Sequence, residues 1–472
     1  MAAKCIFVGG TSSHAGKSWM VTAICAWLRK RGVRVAPFKA QNMSNNSYPC
    51  LGGGEIGRAQ VAQAQACGLE PEPAMNPILL KPNSATGSQV IVHGKLWKTL
   101  PARGYYEHAP WLLTQVLDAY EGLASRFDFI VIEGAGSVAE LNLRRVDLVN
   151  FGLATKLQAP ALLVSDIERG GVFGSIIGTV SLLEPEERAL LRSFAVNKFR
   201  GDLSLFDDGR AILEERTGVS CLGVFPYAKD IHVDDEDSLS VPAVGKHGGD
   251  LSSVAVIRLP RISNTTDFRL LRSAVWVDQP MDQPFAVVIL PGTKNTIDDL
   301  NWLRERGLDV WIKDQHQRGA RIVGVCGGYQ MLGRSISDPY GMESQHQQVE
   351  GLGLLDMETV MSDQKTLRRV SGRTLNGAAF SGYEIHLGVS VWTKQPCRHF
   401  AITEDGRLEG AVVGRVYGTY LHGTLENPDV LKEVVGIDVP MERRRSATQT
   451  TDYGRLADWF AEHSRGFEEL YL

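Results

Sequence analysis

A cysteine set between glycines, at the point where an apolar run gives way to a helical one, has the surroundings a thiol nucleophile needs. Ile322-Val323-Gly324-Val325-Cys326-Gly327-Gly328-Tyr329-Gln330 is such a stretch. A nucleophile on a sharp strand-to-helix turn requires small neighbours, and the start of a helix lowers a thiol pKa. The amide of Gly327 would point toward an oxyanion forming on a carbonyl, and the turn Pro291-Gly292-Thr293, after another apolar run, would add the amide of Gly292. The thiol also needs a base. Of eleven histidines, His422 in Tyr420-Leu421-His422-Gly423 and His386 in Glu384-Ile385-His386-Leu387 stand in suitable runs. Spacing leaves both open, because such partners meet in space rather than along the chain.

A second chemistry lies near the N-terminus. Gly10-Thr11-Ser12-Ser13-His14-Ala15-Gly16-Lys17-Ser18 follows an apolar run and precedes a helical pattern. Amides around Gly10, Thr11, Ser12 and Gly16 would cradle phosphate oxygens, Lys17 would supply charge to the β- and γ-phosphates of ATP, and Ser18 would ligate Mg2+. The first glycine comes one residue earlier than in the usual phosphate loop. Glu133 closes Phe129-Ile130-Val131-Ile132, and a carboxylate at the end of a parallel strand faces the ligand crevice, so it is the second candidate for Mg2+. Asn197, ending Phe194-Ala195-Val196, is placed to read an adenine edge.

Both chemistries need scaffolds of alternating strands and helices. Short apolar runs at 5–8, 33–38, 129–132, 161–164, 194–196 and 221–225 are separated by helical or glycine-rich stretches, which predicts a doubly wound parallel sheet. The segment 232–253 is acidic and then rich in proline and glycine, as a linker would be. Beyond it strands are predicted at 254–257, 286–290 and 322–325, with helices over 297–305 and 310–318. Two α/β domains follow, at 1–235 and 250–472, in keeping with a length of 472 residues. A net charge of −4, with bases scattered among acids, gives no footprint for nucleic acid. The seven cysteines are widely spaced without a CxxC pair, which argues against disulfides and zinc. Neither a signal pattern nor a membrane-length apolar stretch is present, so no membrane partner and a cytoplasmic location are expected.

Several long motifs together resemble one family. They are the phosphate loop, Pro37-Phe38-Lys39-Ala40-Gln41-Asn42-Met43-Ser44-Asn45-Asn46-Ser47, the stretch 165–173, Val196-Asn197-Lys198-Phe199-Arg200-Gly201-Asp202, Leu259-Pro260-Arg261-Ile262-Ser263-Asn264-Thr265-Thr266-Asp267-Phe268, and the cysteine turn. In this combination and order they are similar to the cobyric acid synthase family over nearly the whole chain. The resemblance implies ATP- and glutamine-dependent amidation of the b, d, e and g carboxylates of adenosylcobyrinic a,c-diamide, an N-terminal domain like dethiobiotin synthetase and MinD, and a C-terminal class I glutamine amidotransferase domain of flavodoxin-like fold. It places the nucleophile on Cys326 and the base on His422. Many class I domains carry a glutamate two residues after the histidine; Thr424 stands there, which leaves Glu426 as a weak third candidate. Lys39, Gln41, Asn42 and Asn45 are candidates for contacts to the corrin or to phosphate. The competing readings are the a,c-diamide synthase, which shares both domains, and a MinD-like nucleotide switch with a non-catalytic second domain.

Overall fold

The computed structural model describes residues 3–82, 87–228, 230–231, 233, 253–271, 273–344, 346–394, 398–438 and 449–472. The expected linker at 232–253 lies outside them apart from Val233 and Ser253. The chain divides into two compact units.

The first unit is built on a parallel sheet of β1 (Lys4–Gly10), β2 (Val35–Phe38), β3 (Phe129–Glu133), β4 (Ala161–Asp166), β5 (Leu191–Phe199) and β6 (Ser220–Pro226), in the order β6-β5-β4-β1-β3-β2. Apolar side chains alternate between two buried faces, which is why these strands read as unbroken apolar runs. The phosphate loop leaves β1 and enters helix α1 (Lys17–Lys30) through Gly16, whose φ of 95° suits a residue without Cβ. A side chain there would also strike Asn197 Nδ2 at 2.0 Å. Val8 is in register with Glu133, so that carboxylate stands beside the root of the loop. An unanticipated layer fills the region between β2 and β3: strands Gln41–Met43, Ile78–Pro82, Gly87–Val92 and Lys95–Pro101 form a small sheet.

The second unit has a sheet of β7 (Val254–Ile257), β8 (Val275–Val277), β9 (Val287–Leu290), β10 (Arg321–Val325), β13 (Ala411–Val413) and β14 (Val416–Thr419), ordered β8-β7-β9-β10-β14-β13 and parallel except for the last pair. Between β10 and β13 runs the long antiparallel pair β11 (Met357–Thr374) and β12 (Ala379–Trp392). The predicted helices are found at Thr296–Glu305, with the Asn295 side chain capping the Asp298 N–H, and at Leu308–Gln317.

Two segments depart from the predicted boundaries. Residues 446–472, expected in the second domain, group with the first unit. There the helix Gln449–His463 and the short helix Phe467–Tyr471 pack against α1: Phe460 and Phe467 place their rings 5.7 and 5.2 Å from Trp27. The reason is local, since α1 buries Ile24, Trp27 and Leu28 and needs an apolar partner. Conversely, residues 45–53 group with the second unit, although the chain on either side of them belongs to the first. Among the described residues, no helix is long and apolar enough to cross a membrane.

Candidate active site

In the second unit the chain leaves β10 at Cys326, which has φ 52° and ψ −109°, and turns at once into the short helix Gly327–Met331. A non-glycine residue in this region is strained, and the surroundings hold it there. The Cys326 N–H donates to the Thr419 carbonyl at 2.8 Å. A Cβ on Gly328 would come within 2.1 Å of the Leu290 carbonyl oxygen, and one on Gly327 within 2.8 Å of Thr293 Cγ2, so both positions admit only glycine without rearrangement. The thiol reaches the Ile385 carbonyl at 3.7 Å.

His422 follows β14 and is fully buried. Its Nδ1 lies 2.7 Å from Asp267 Oδ2, and the other carboxylate oxygen accepts the Gly423 N–H at 2.6 Å. Asp267, 1% exposed, comes from the short helical segment Thr265–Leu271. Burial alone would depress the His422 pKa, but the Asp267 carboxylate and the Cys326 side chain beside the ring outweigh it and push it up to about 10. The Nε2 atom lies 3.2 Å from Asn264 Nδ2. Gly292 packs against the ring so closely that a Cβ there would sit 2.7 Å from His422 Cε1.

The other candidates for this centre are disposed differently. His386 bonds through Nδ1 to the Gly388 carbonyl at 2.8 Å and stacks on Tyr420, and burial lowers its pKa to about 4. Among the described residues it has no carboxylate hydrogen bond of the kind His422 makes. Glu426 pairs with Arg269 at 3.1 Å, so the carboxylate on His422 is Asp267 instead. The sequence reading missed Asp267 although its motif was in view, because nothing in spacing links it to a histidine 155 residues away.

In the first unit the nucleotide-loop residues converge. Lys17 Nζ donates to the carbonyls of Gly136 at 2.7 Å and Ser12 at 3.1 Å, spanning the loop that phosphates would fill. Thr11 Oγ1 lies 2.9 Å from Ser165 Oγ. Ser18 Oγ donates to Glu133 Oε1 at 2.7 Å, and Lys39 Nζ donates to the same oxygen at 2.9 Å. Gln63 Nε2 bonds the other oxygen. Burial works to raise the Glu133 pKa, but the Lys39 charge and these hydrogen bonds hold it below the usual range. Ser18 and Glu133 are thus a hydroxyl and an ionised carboxylate in contact, a donor pair that suits Mg2+ held mainly by phosphates and water. Asn197 uses its Nδ2 on the Ala15 carbonyl at 3.0 Å, bracing the loop from beneath.

The four proposed substrate contacts do not form one group. Lys39 is buried on Glu133, Gln41 accepts from the Tyr105 hydroxyl, and Asn42 donates to Gln60 Oε1 at 2.8 Å, all in the first unit. Asn45 belongs to the second, and its Oδ1 has no hydrogen-bond partner among the described residues.

Comparison with known proteins agrees with this division. Residues 6–241 match the CobQ/CobB/MinD/ParA nucleotide binding domain, and 253–430 match the CobB/CobQ-like glutamine amidotransferase domain. A cobyric acid synthase from Dehalococcoides mccartyi strain CBDB1 is 43% identical over 99% of this chain and 98% of its own length. The cobyric acid synthase of strain BAV1 is 42% identical over the same shares. A solved structure, "Crystal structure of glutamine amidotransferase", aligns at 17% identity and a TM-score of 0.32, covering 39% of this chain and 100% of its own. With relatives so similar over its full span, the chain belongs to the cobyric acid synthase family.

Proposed function

We propose that the chain amidates the b, d, e and g carboxylates of adenosylcobyrinic a,c-diamide to give adenosylcobyric acid, with ATP activating each carboxylate and glutamine supplying ammonia. At the coarser level of the family, it is a glutamine-dependent amidating enzyme of cobalamin biosynthesis. The observation that supports glutamine as the ammonia source is the buried Asp267–His422 pair beside a cysteine in a strained elbow, an arrangement with no use in a nucleotide switch; the choice of carboxylates is supported by the full-length likeness to cobyric acid synthases.

In this reading Cys326 Sγ attacks the carboxamide carbon of glutamine while His422 accepts the thiol proton. The amides of Gly327 and Gly292 face the oxyanion. His422 then protonates the departing ammonia, and a water deprotonated by His422 cleaves the thioester to glutamate. Asp267 fixes the ring with Nδ1–H toward itself, leaving Nε2 for these transfers. In the first unit Lys17 and the amides of the phosphate loop hold ATP. A corrin carboxylate oxygen attacks the γ-phosphorus, ADP leaves, and ammonia displaces phosphate from the acyl phosphate to form the amide. Ser18 and Glu133 would hold Mg2+, which when bound offsets charge on the β- and γ-phosphates. Lys39, whose Nζ donates to Glu133, would meet the transferring phosphoryl group in this reading. The substrates ATP and glutamine are those of the cytoplasm, where we place the reaction.

The test is mass spectrometry of cobyrinic a,c-diamide incubated with the protein, ATP, Mg2+ and glutamine. Four successive replacements of hydroxyl by amine are expected. An untouched substrate, with cobyrinic acid gaining two amides instead, would assign the chain to a,c-diamide synthesis.

A further inference from the structure

The peptide planes of the phosphate loop are fixed largely through their carbonyls. Those of Gly10, Thr11, Ser12 and Gly16 accept from the Val138 N–H, the Ser137 hydroxyl, Lys17 Nζ and the Met20 N–H. Two more, on consecutive residues, are held from the end of β5. The Ala15 carbonyl accepts from Asn197 Nδ2 at 3.0 Å, and the His14 carbonyl accepts from Lys198 Nζ at 2.7 Å. Lys198 is tied in turn to Asp166 at the end of β4: Nζ lies 2.9 Å from Oδ2, while Oδ1 accepts the Glu168 N–H at 2.7 Å. Both residues of the Lys198–His14 contact lie in the left-handed region, at φ 62° and 59°, where a residue with a Cβ is uncommon.

In a trans peptide the C=O of one residue and the N–H of the next share a plane and point in opposite directions. A His14 carbonyl drawn onto Lys198 therefore turns the Ala15 N–H the other way, and an Ala15 carbonyl drawn onto Asn197 does the same for the Gly16 N–H. Among the described residues, neither of these N–H groups donates to a protein group. Successive amides turned to one side make a cradle for a phosphate. We infer that Lys198 is a positioning residue of the ATP site, which with Asn197 pins the peptides 14–15 and 15–16 so that the Ala15 and Gly16 amides face phosphate. Its ammonium is committed to a carbonyl and to Asp166, so it works through the loop rather than as a phosphate ligand in the manner of Lys17. The same bond keeps His14 in its strained conformation; without it the loop relaxes, and nucleotide binding must order it again. The inference rests on the reading of this loop as the ATP site.

The test titrates MgATP into the full chain by calorimetry, whose stoichiometry reports how much of each variant is folded. Lys198→Met keeps most of the side chain's length and removes its donor. Its Kd for ATP is expected to rise about tenfold, as for one lost hydrogen bond from a charged group. In ammonium-driven amidation the effect should fall on KM for ATP more than on kcat, since the loop is needed in ground state and transition state alike. An unchanged Kd overturns the inference; so does a kcat loss equal to that of Lys17→Ala, which would make Lys198 a group acting on the transferred phosphoryl. Asp166→Asn gives a second arm in which the two accounts differ in sign. Removing a negative charge beside the loop would by itself tighten ATP binding. Loosening the anchor of Lys198 weakens it, and weaker binding is expected; equal or tighter binding overturns the clamp. ATP binding that survives Lys17→Ala at full strength would instead remove the reading of the loop beneath it.

Discussion

Ammonia added from solution separates the two chemistries residue by residue. Cys326→Ala should abolish amidation driven by glutamine yet retain amidation driven by ammonium; loss of both would contradict the division of labour. Lys17→Ala should eliminate both amidations while glutamine hydrolysis continues, because its contacts are with the Ser12 and Gly136 carbonyls of the phosphate loop. Asp267→Asn should leave ammonium-driven amidation intact and lower kcat for glutamine hydrolysis by about 10²- to 10⁴-fold, since an amide can hold the ring in the wrong tautomer. A kcat within a factor of about two of the unaltered protein would show that His422 needs no carboxylate. At this scale the sequence was informative where chemistry is local. The Cys326 turn and the Lys17–Ser18 pair carry their meaning in adjacent residues, and so were legible. Asp267 and Asn264 lie against a histidine more than 150 positions away, and only the folded chain brings them together.

Among the elements, the strand Leu408–Glu409 carries an unusual burden. Glu409 is 3% exposed and accepts from Thr419 Oγ1 and the Tyr420 N–H, both at 2.7 Å. Burial nevertheless pushes its pKa up to about 7. An unfolded glutamate titrates near ~4.3, so between these values the folded protein binds the extra proton. The contribution to stability is therefore fully present below the unfolded value and is lost as pH rises through the folded one. Glu409→Gln should accordingly gain on the unaltered protein by up to about 3 kcal/mol between pH 4 and 8, read from denaturant midpoints at each pH. A difference that does not change with pH would mean that Glu409 stays ionised throughout. The short parallel strands were legible because burial on both faces leaves them uniformly apolar. The pair Met357–Thr374 and Ala379–Trp392 was not: exposed Val360, Val389 and Val391 break the usual alternation, and polar residues fill much of the rest.

For the molecule as a whole, two α/β units were readable from the order of strands and helices, but their boundaries were not. An acidic, glycine-rich stretch marks a change in composition, whereas the return of residues 446–472 to the first unit leaves no such mark. The return can be tested at Phe460, which is fully buried against Trp27 and Phe225. Phe460→Ala should cost about 3–5 kcal/mol. The loss should appear as a lowered Tm of the nucleotide-binding unit and faster loss of ammonium-driven amidation on heating, with glutamine hydrolysis spared. Equal sensitivity of both activities would show that the units unfold together. The same packing also sets an order in time. A ribosome makes the strands of the nucleotide unit first, yet α1 cannot cover Trp27 and Ile24 until the last two dozen residues have emerged. The amidotransferase unit, begun later, has all its residues earlier, so the first half of the protein to be synthesised is the second to be completed.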